Sequence, residues 1–222
     1  MGYPDVKLET VAALRPDLIV GSMGFMEDIY DRLTEIAPTV VVDYIPQVDW
    51  KKDERTLGRT FDDRRRVKRA LDDYESRVAD FKKAMGTRLD ELEVGFVRFL
   101  PDEIRIHTRF HYAGTVMEEA GLRRPASHQT DDPEEVFLSL SEERIREIDA
   151  DVLFYAAGGG SADQEAARQT LKRLECNPLW NNLRAVRDGR LQPVDSAHWF
   201  IGGVRAADRI LTDLFRHLAG KD

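Results

Sequence analysis

Residues 57–85 read LGRTFDDRRRVKRALDDYESRVADFKKAM. Apolar side chains recur within this stretch, mostly three or four positions apart, at Leu57, Phe61, Val67, Leu71, Tyr74, Val78, Phe81 and Met85. This spacing predicts one long helix with a single narrow apolar stripe and solvated remaining faces. A continuous helix over 57–85 is about 43 Å long at roughly 1.5 Å per residue. Charged residues fill 24 of the 43 positions from 51 to 93, so the alternative is a partner-binding face, although a solvated face is the simpler interpretation.

On both sides of this helix, helical and strand patterns alternate along the sequence. Before it, helices are predicted at 8–14 and 26–36 and strands at 17–21 and 39–43. After it, the predicted strands are 94–100, 103–107, 152–156 and 190–194, and the predicted helices are 114–120, 141–148, 164–173 and 203–218. Such alternation is typical of a parallel sheet covered by helices. The predicted fold class is therefore α/β, with two lobes and parallel-type sheets, divided into 1–53 (first lobe), 54–88 (connecting helix) and 89–222 (second lobe).

Composition excludes several classes of protein. The 222 residues carry a formal charge of −8, which disfavours binding to nucleic acid or to an anionic membrane. Hydrophobic residues make up 42% of the chain, enough for a folded core. No apolar run approaches the roughly 18 residues of a membrane span. The single cysteine, Cys176, excludes an internal disulfide and a cysteine-based metal cluster.

Three kinds of chemistry find little support in the sequence. His107 and His111 have the spacing of a helical metal pair but lie in a strand-then-loop pattern, without a companion cluster. Gly158-Gly159-Gly160-Ser161 joins a strand to a helix, which suits anion binding by backbone amides. It lacks the Gly-Lys-Ser/Thr of a phosphate loop and the dinucleotide spacing, so a flexible turn is the alternative. Cys176 has no placed histidine, and packing is its simpler role.

Arginines and aromatic residues remain, at strand ends and in loops. Arg98 interrupts the apolar strand 95–99, and Arg109-Phe-His-Tyr112 and His198-Trp-Phe200 are loop segments. Ligands of open α/β sheets collect beyond the carboxyl ends of the strands. Arginine in such a place suits an anionic, oxygen-rich ligand. A surface ion pair for Arg98 and a core position for Trp199 are the alternatives.

Several segments together resemble one family. Leu8-Glu-Thr-Val-Ala-Ala-Leu-Arg-Pro-Asp-Leu-Ile-Val20 resembles the LExIxxLxPDLII segment of the substrate-binding proteins of iron–siderophore and cobalamin ABC importers. The order of the remaining matching segments is also that of the family: Ile36-Ala-Pro-Thr-Val40, Ile148-Asp-Ala-Asp-Val-Leu153, Pro178-Leu-Trp180, Leu183-Arg-Ala-Val-Arg-Asp-Gly-Arg190 and the Trp199 segment. The resemblance covers nearly all of the chain.

The resemblance implies a non-enzymatic protein of two α/β lobes that clamps a ferric siderophore and delivers it to ABC permease subunits. The iron is then carried within the siderophore, with no cofactor and no metal site of the protein itself. The implied ligand contacts are Arg98, Arg109, Tyr112 and Trp199 in the second lobe and Met23 and Phe25 in the first. Glu9 and Glu143 resemble the paired glutamates that dock on permease arginines, and their alternative role is that of ordinary acids at helix starts.

Two other ligand classes and one other protein class remain open. Cobalamin or haem is the alternative ligand within the family. A cytosolic α/β enzyme that uses Gly158–Gly160 for a phosphorylated substrate is the alternative outside it.

The start of the chain departs from the family pattern. Family members carry an export signal, often with a lipoprotein cysteine, and then a strand–helix–strand unit ahead of the segment at Leu8. The resemblance therefore implies an incomplete first lobe, through truncation or a misplaced start, in a protein that works outside the cytoplasm, in the periplasm or lipid-anchored to the outer face of the cytoplasmic membrane. An incomplete sheet exposes an edge, which predicts dimerisation or strand exchange.

Overall fold

The structure is a computed structural model that describes residues 6–22, 26–42, 49–101, 103–158, 164–200 and 202–220. It confirms the predicted α/β class, with one two-stranded sheet and one five-stranded sheet. Within the described ranges, every helix is too short or too polar to cross a lipid bilayer.

The first sheet contains strands β1 (Ile19–Ser22) and β2 (Thr39–Val42), which run parallel with Ile19 opposite Thr39. Helix α1 (Leu8–Leu14) precedes β1, and a 3₁₀ turn (Glu27–Ile29) leads into α2 (Tyr30–Thr34). A small apolar cluster holds this part together around Leu8, Met26 and Leu33. Each strand has one neighbour among the described residues, and dimerisation through this sheet stays a prediction.

The connecting segment is two helices rather than the one predicted over 57–85. Helix α3 (Trp50–Thr60) begins before the predicted helix, and α4 (Arg64–Met85) follows after a short break. Asp62 adopts a left-handed conformation with φ of 52°, which an α-helix does not accommodate. The Asp63 amide then donates to the Gly58 carbonyl at 2.8 Å, so the chain turns back before α4 starts.

The second sheet has the strand order β5-β4-β3-β6-β7. Its strands are β3 (Val94–Phe99), β4 (Ile104–His107), β5 (Phe137–Leu140), β6 (Val152–Ala157) and β7 (Leu191–Pro193). β3, β6 and β7 run parallel, as the predicted parallel-type sheet requires, whereas β4 and β5 pair antiparallel, so the sheet is mixed. Only four residues separate β3 from β4, far fewer than the dozen or so of a parallel crossover, so β4 returns antiparallel to β3. β5 was not predicted from the sequence.

Helices and turns cover both faces of this sheet. The helices are α5 (Arg88–Glu91), α6 (Tyr112–Glu119), α7 (Gln164–Glu175), α8 (Arg184–Arg187), α9 (Ser196–Trp199) and α10 (Val204–Leu214). Three 3₁₀ segments (Ala126–His128, Glu142–Ile148 and Trp180–Asn182) and a final π-helical turn (Phe215–Ala219) complete the second lobe.

The alternation of strand side chains divides the core in two. Val94 and Phe96 of β3 point to the face covered by α4, α6 and α10. Val97 and Phe99 point to the opposite face, where α7 and α8 pack. The first face is apolar only along part of its length, because the next side chain of β3 on that face is Arg98.

Gly114 supplies a stability test for the packing of α6. A Cβ atom at this position would lie 2.0 Å from the carbonyl oxygen of Thr108, a backbone atom that cannot rotate away. We therefore expect Gly114→Ala to lower the free energy of unfolding by about 2 kcal/mol, as other overpacked sites do. Glu118→Ala, on the exposed side of the same helix, should change it by less than about 0.5 kcal/mol. Urea unfolding followed by circular dichroism measures both, and equal stabilities would contradict this packing.

Candidate functional site

Two arginines stand side by side where β3 ends and β4 begins. Arg98 and Arg105 are direct partners in the antiparallel register, so their side chains share one face of the sheet. The Arg98 guanidinium carbon lies 4.6 Å from the ring centre of Phe200, and that of Arg105 lies 4.2 Å from the ring centre of Phe137. Both distances are within the range of cation–π contact. Two stacked cations thus form one surface at this end of the sheet.

Backbone and side-chain contacts hold the two arginines in place. The Nε of Arg98 donates to the Gly158 carbonyl at 3.0 Å, just after β6. Arg105 pairs with Glu103 at 2.8 Å, and Ser139 of β5 donates to the same carboxylate. These contacts lower the pKa of Glu103, chiefly through the hydrogen bond from Arg105. Glu103 therefore stays ionised and fixes the position of Arg105.

The ring of Phe200 is placed over Arg98 by the turn that joins α9 to α10. Asp213 of α10 accepts hydrogen bonds from Trp199 Nε1 at 2.8 Å and lies 3.0 Å from His198 Nε2. Asp195 caps the start of α9 by accepting from the Ala197 amide. Phe200 follows directly and packs 5.9 Å from Phe96, measured between ring centres.

Two histidines, the buried His107 and the half-buried His111, lie beneath this ring. His107 stacks on Phe96 with 4.7 Å between ring centres, and His111 lies 4.0 Å from His107. Neither ring nitrogen of His107, nor Nδ1 of His111, has a hydrogen-bond partner among the described residues. Burial lowers the pKa of His107 well below its usual value, and burial together with Arg124 and Arg98 lowers that of His111 to about 3. Both imidazoles are therefore neutral at physiological pH.

A third arginine, the half-buried Arg124, lies behind the histidines. Arg124 donates to the carbonyl oxygens of His107 and Gly114, each at 3.0 Å. Burial lowers its pKa to about 10, so it still carries its charge. The buried His128 has its pKa lowered to about 4, first by burial and then by Arg124. The interior behind the site is thus positively charged, with uncharged imidazoles around one guanidinium.

Two of the predicted ligand contacts lie in the core. Trp199 is fully buried between Phe96 and Phe154, with ring centres 4.8 and 5.0 Å away. Tyr112 is 1% exposed, and its hydroxyl donates to the Gly203 carbonyl at 2.7 Å. Both side chains support the site from behind in this conformation. Direct contact of either with a ligand stays a prediction.

The structure does not place the other predicted contacts in this group. Arg109 stacks on the neighbouring Phe110 at 4.8 Å and pairs with Asp131 at 3.6 Å. Met23 and Phe25 lie outside the described residues, as do Gly159, Gly160 and Ser161 of the glycine-rich turn. Of the predicted contacts that are described, only Arg98 presents its charged group at the arginine pair.

The two predicted docking glutamates are exposed at the starts of helical segments. Glu9 lies in the first turn of α1, and Glu143 lies in the first turn of the 3₁₀ segment Glu142–Ile148 rather than of an α-helix. No group of three or more His, Cys, Asp or Glu residues is arranged to hold a metal ion in the part of the chain that the structure describes.

Arg105, Phe137 and the supporting role of Phe200 were not predicted from the sequence. A signal for Arg105 was present, because it interrupts the apolar pair Ile104 and Ile106 just as Arg98 interrupts β3. Pairing the predicted strands 94–100 and 103–107 as a hairpin would have set the arginines side by side. Phe137 lies in a strand that the sequence analysis did not recognise.

This face can bind an anion with several oxygen atoms. Arginine donors in planar forks match carboxylates and similar groups. The site lies at the open end of a sheet, beyond the last apolar layer of its core, where α/β proteins bind ligands.

The chain matches the family model "Periplasmic binding protein" over residues 2–197. It is 32% identical over 215 residues to "Probable siderophore-binding lipoprotein YfiY" of Bacillus subtilis (strain 168), which is 93% of this chain and 64% of the relative. It is 25% identical over 218 residues to "Fe(3+) dicitrate-binding periplasmic protein FecB" of Escherichia coli (strain K12), 95% of this chain and 67% of the relative. The chain spans about two thirds of the length of the curated relatives that it matches.

Solved structures with the same fold include SirA of Staphylococcus aureus complexed with staphyloferrin B. That chain is 28% identical and superposes with a TM-score of 0.85, over 97% of this chain and 75% of its own length. A second crystal structure of Staphylococcus aureus SirA superposes with a TM-score of 0.86 at 27% identity, over 99% of this chain and 82% of its own length.

The pKa values of the interior histidines predict how stability depends on pH. In the unfolded chain these histidines take up a proton near pH 6.5, whereas in the folded chain His111 does so only near pH 3 and His128 only near pH 4. Stability should therefore fall as the pH drops below about 6.5, by about 1 kcal/mol for each such imidazole between pH 7.0 and 5.5.

The variant His128→Gln tests this origin, because its amide can still donate to the Glu147 carbonyl that faces Nε2 at 3.1 Å. Its loss of stability between pH 7.0 and 5.5, measured by urea unfolding, should be smaller than that of the unaltered protein by about 1 kcal/mol. Between pH 7.5 and 8.5 the free energies of unfolding of the two proteins should change with pH in parallel. Identical slopes below pH 7 would contradict the assignment.

Proposed function

This chain belongs to the periplasmic binding protein family, and from that premise we propose that it captures a ferric siderophore for an ABC importer. The siderophore is held between the two lobes and handed to the membrane permease. The observation that carries the proposal is the arginine pair: Arg98 and Arg105, each stacked on a phenyl ring, at the open end of the second-lobe sheet.

The physical match is between this face and an anion rich in oxygen. The chain as a whole carries a charge of −8, so a local group of arginines stands out as a positive region in an acidic protein. Such a region raises the local concentration of anions and speeds their encounter with the site. Ferric complexes of oxygen ligands that keep a negative charge are suitable partners.

The names of the relatives support this class of ligand. They include a probable siderophore-binding lipoprotein, a ferric dicitrate-binding periplasmic protein and a structure that holds staphyloferrin B. On the same grounds we place this protein outside the cytoplasm, in the periplasm or lipid-anchored at the outer face of the cytoplasmic membrane. It acts there as a binding protein without catalytic activity of its own, and the iron is a part of the ligand rather than a cofactor.

We further propose that the chain divides near the boundaries 1–53, 54–88 and 89–222, with Met23 and Phe25 contributing from the first lobe. Arg109, Tyr112 and Trp199 complete the proposed ligand site, the last two by supporting it from behind. Cobalamin and haem are the alternative ligands within the family. An enzyme acting on a phosphorylated substrate is disfavoured by family membership.

Ligand titration tests the proposed function. We expect ferric siderophores to quench the tryptophan fluorescence saturably, while cobalamin, haem and sugar phosphates do not. Arg98→Ala should weaken the binding of the quenching siderophore at least about tenfold, because it removes charge-assisted hydrogen bonds worth roughly 1.5–3 kcal/mol.

Arg187→Ala is the matched control, since Arg187 is exposed on α8, which packs on the opposite face of the sheet. It should bind like the unaltered protein. If no ferric siderophore binds, or if Arg98→Ala binds normally, the proposed role of the arginine pair is wrong.

Glu9 and Glu143 form the proposed contact with the permease. Both carboxylates are exposed, one in each lobe, and can meet arginines of a membrane partner. Neither glutamate belongs to the arginine pair, so we expect docking and ligand capture to be changed independently.

Charge reversal tests this contact. The double variant Glu9→Lys with Glu143→Lys should keep its siderophore affinity but lose most of the stimulation of ATP hydrolysis by the cognate permease in liposomes. Glu118→Lys, an equally exposed site on α6, should stimulate normally. Full stimulation by the double variant would exclude these glutamates from docking.

A further inference from the structure

The arrangement of the arginine pair restricts the kind of group that it can recognise. Each guanidinium lies over the face of a phenyl ring, Arg98 on Phe200 and Arg105 on Phe137. A guanidinium that uses its face for stacking directs its N–H groups outward in its own plane. Planar carboxylates accept two such N–H groups at once. The pair is therefore suited to carboxylate edges.

The same stacking disfavours aromatic chelating groups. One face of Phe200 and one face of Phe137 are already covered by a guanidinium. Phe200 also packs on Phe96 and lies 5.5 Å from His107, measured between ring centres. These rings are thus largely committed to neighbours within the protein, which leaves little aromatic surface to stack on a catechol ring.

The charge of the site also favours a carboxylate ligand. Three guanidiniums, those of Arg98, Arg105 and the half-buried Arg124, lie in or behind the site, and among the described residues Glu103 pairs with Arg105. Arg124 is held by carbonyl oxygens, and its charge acts through the low-dielectric interior. A net positive site favours a complex that keeps negative charge after binding iron.

Siderophore classes differ in that remaining charge. Each hydroxamate carries one negative charge, so three of them neutralise iron(III) and leave no net charge for an arginine to pair with. Groups of the citrate type contribute carboxylates together with an ionised hydroxyl, and their iron(III) complexes remain anionic. Catecholate complexes are also anionic, but they present aromatic rings rather than carboxylate edges.

We propose that the ligand is a ferric siderophore of the carboxylate type, whose carboxylate oxygens face Arg98 and Arg105. This inference rests on the proposed function and narrows it to one chemical class. Arg105 changes partner when such a ligand binds, because a ligand carboxylate competes with Glu103 for the same guanidinium.

A selectivity measurement on the whole chain tests the inference. Three probes are titrated against tryptophan fluorescence at fixed ionic strength: ferric dicitrate or ferric staphyloferrin B, ferrioxamine B as the hydroxamate, and ferric enterobactin as the catecholate. We expect the carboxylate complex to bind at least a hundredfold more tightly than ferrioxamine B and more tightly than ferric enterobactin. Its dissociation constant should rise with sodium chloride concentration, since the contacts are ionic.

Lysine variants test the planar geometry of the guanidinium separately from its positive charge. Arg98→Lys and Arg105→Lys keep the positive charge but lose the planar fork, and each should weaken the carboxylate complex about tenfold. Arg187→Lys should have no effect. Circular dichroism at the titration temperature shows whether each variant is folded. The selectivity of the unaltered protein for the three probes tests the inference even if a variant does not fold.

The outcomes distinguish the two proposals. Tighter binding of ferrioxamine B or of ferric enterobactin would overturn the carboxylate class while supporting siderophore capture. Unchanged affinity in both folded lysine variants would also overturn it. If the folded chain binds none of the three probes, the proposed function itself is contradicted, together with this inference.

Discussion

The placement of the site depends on one junction between the connecting segment and the second lobe. Glu54 of α3 accepts a hydrogen bond from the Val204 amide at 2.8 Å, at the first residue of α10. The preceding carbonyl, that of Gly203, accepts from Tyr112 of α6. A Cβ atom on Gly203 would lie 1.8 Å from the Glu54 carboxylate, so a larger residue here would displace the Glu54 side chain from this contact. Three helices are thereby fixed at one point, and the turn that carries Phe200 ends there.

The arginine and the histidines behind the arginine pair meet the energetic cost of burial in different ways. The half-buried Arg124 keeps its charge, because carbonyl oxygens at the end of β4 and in α6 replace part of its water. The neighbouring His107 and His111 meet the same cost of burial by remaining uncharged. The interior therefore contributes one fixed positive charge that does not depend on pH in the physiological range. A fixed charge of this kind adds to the positive electrostatic potential at the two surface arginines.

Local patterns predicted the order of the elements, but not every boundary. The alternation of strand and helix survives in the structure because each predicted strand contains apolar residues, and in β3, β4 and β6 most of them are buried. The break between α3 and α4 was marked by the six-residue gap from Phe61 to Val67, wider than the other gaps in the stripe. β5 was missed because it is only four residues long, and although three of them are apolar, so short a run shows no periodicity that separates a strand from a loop.

The site was predictable only where strand pairing determines it. Arg98 was identified because it interrupts a strand, and Arg105 becomes its partner once the antiparallel register is known. Tyr112 and Trp199 are aromatic residues beside loops, and nothing local in the sequence separates a ligand contact from a core residue. Their burial is decided by Gly203 and Asp213, which lie 91 and 14 positions further along the chain. Long-range contacts of this kind carry no signature in a single sequence.

Glu103 shows how a cationic site can hold an acid without losing its function. Its carboxylate is shared between Arg105 and Ser139, and this sharing keeps the Arg105 side chain extended over Phe137. Without such an anchor, the long side chain would lose more conformational freedom when it bound a ligand. The acid reduces the net positive charge of the face, but it also orders one of the two guanidiniums in advance. Selectivity at this face therefore depends on the geometry of the guanidiniums as well as on their number.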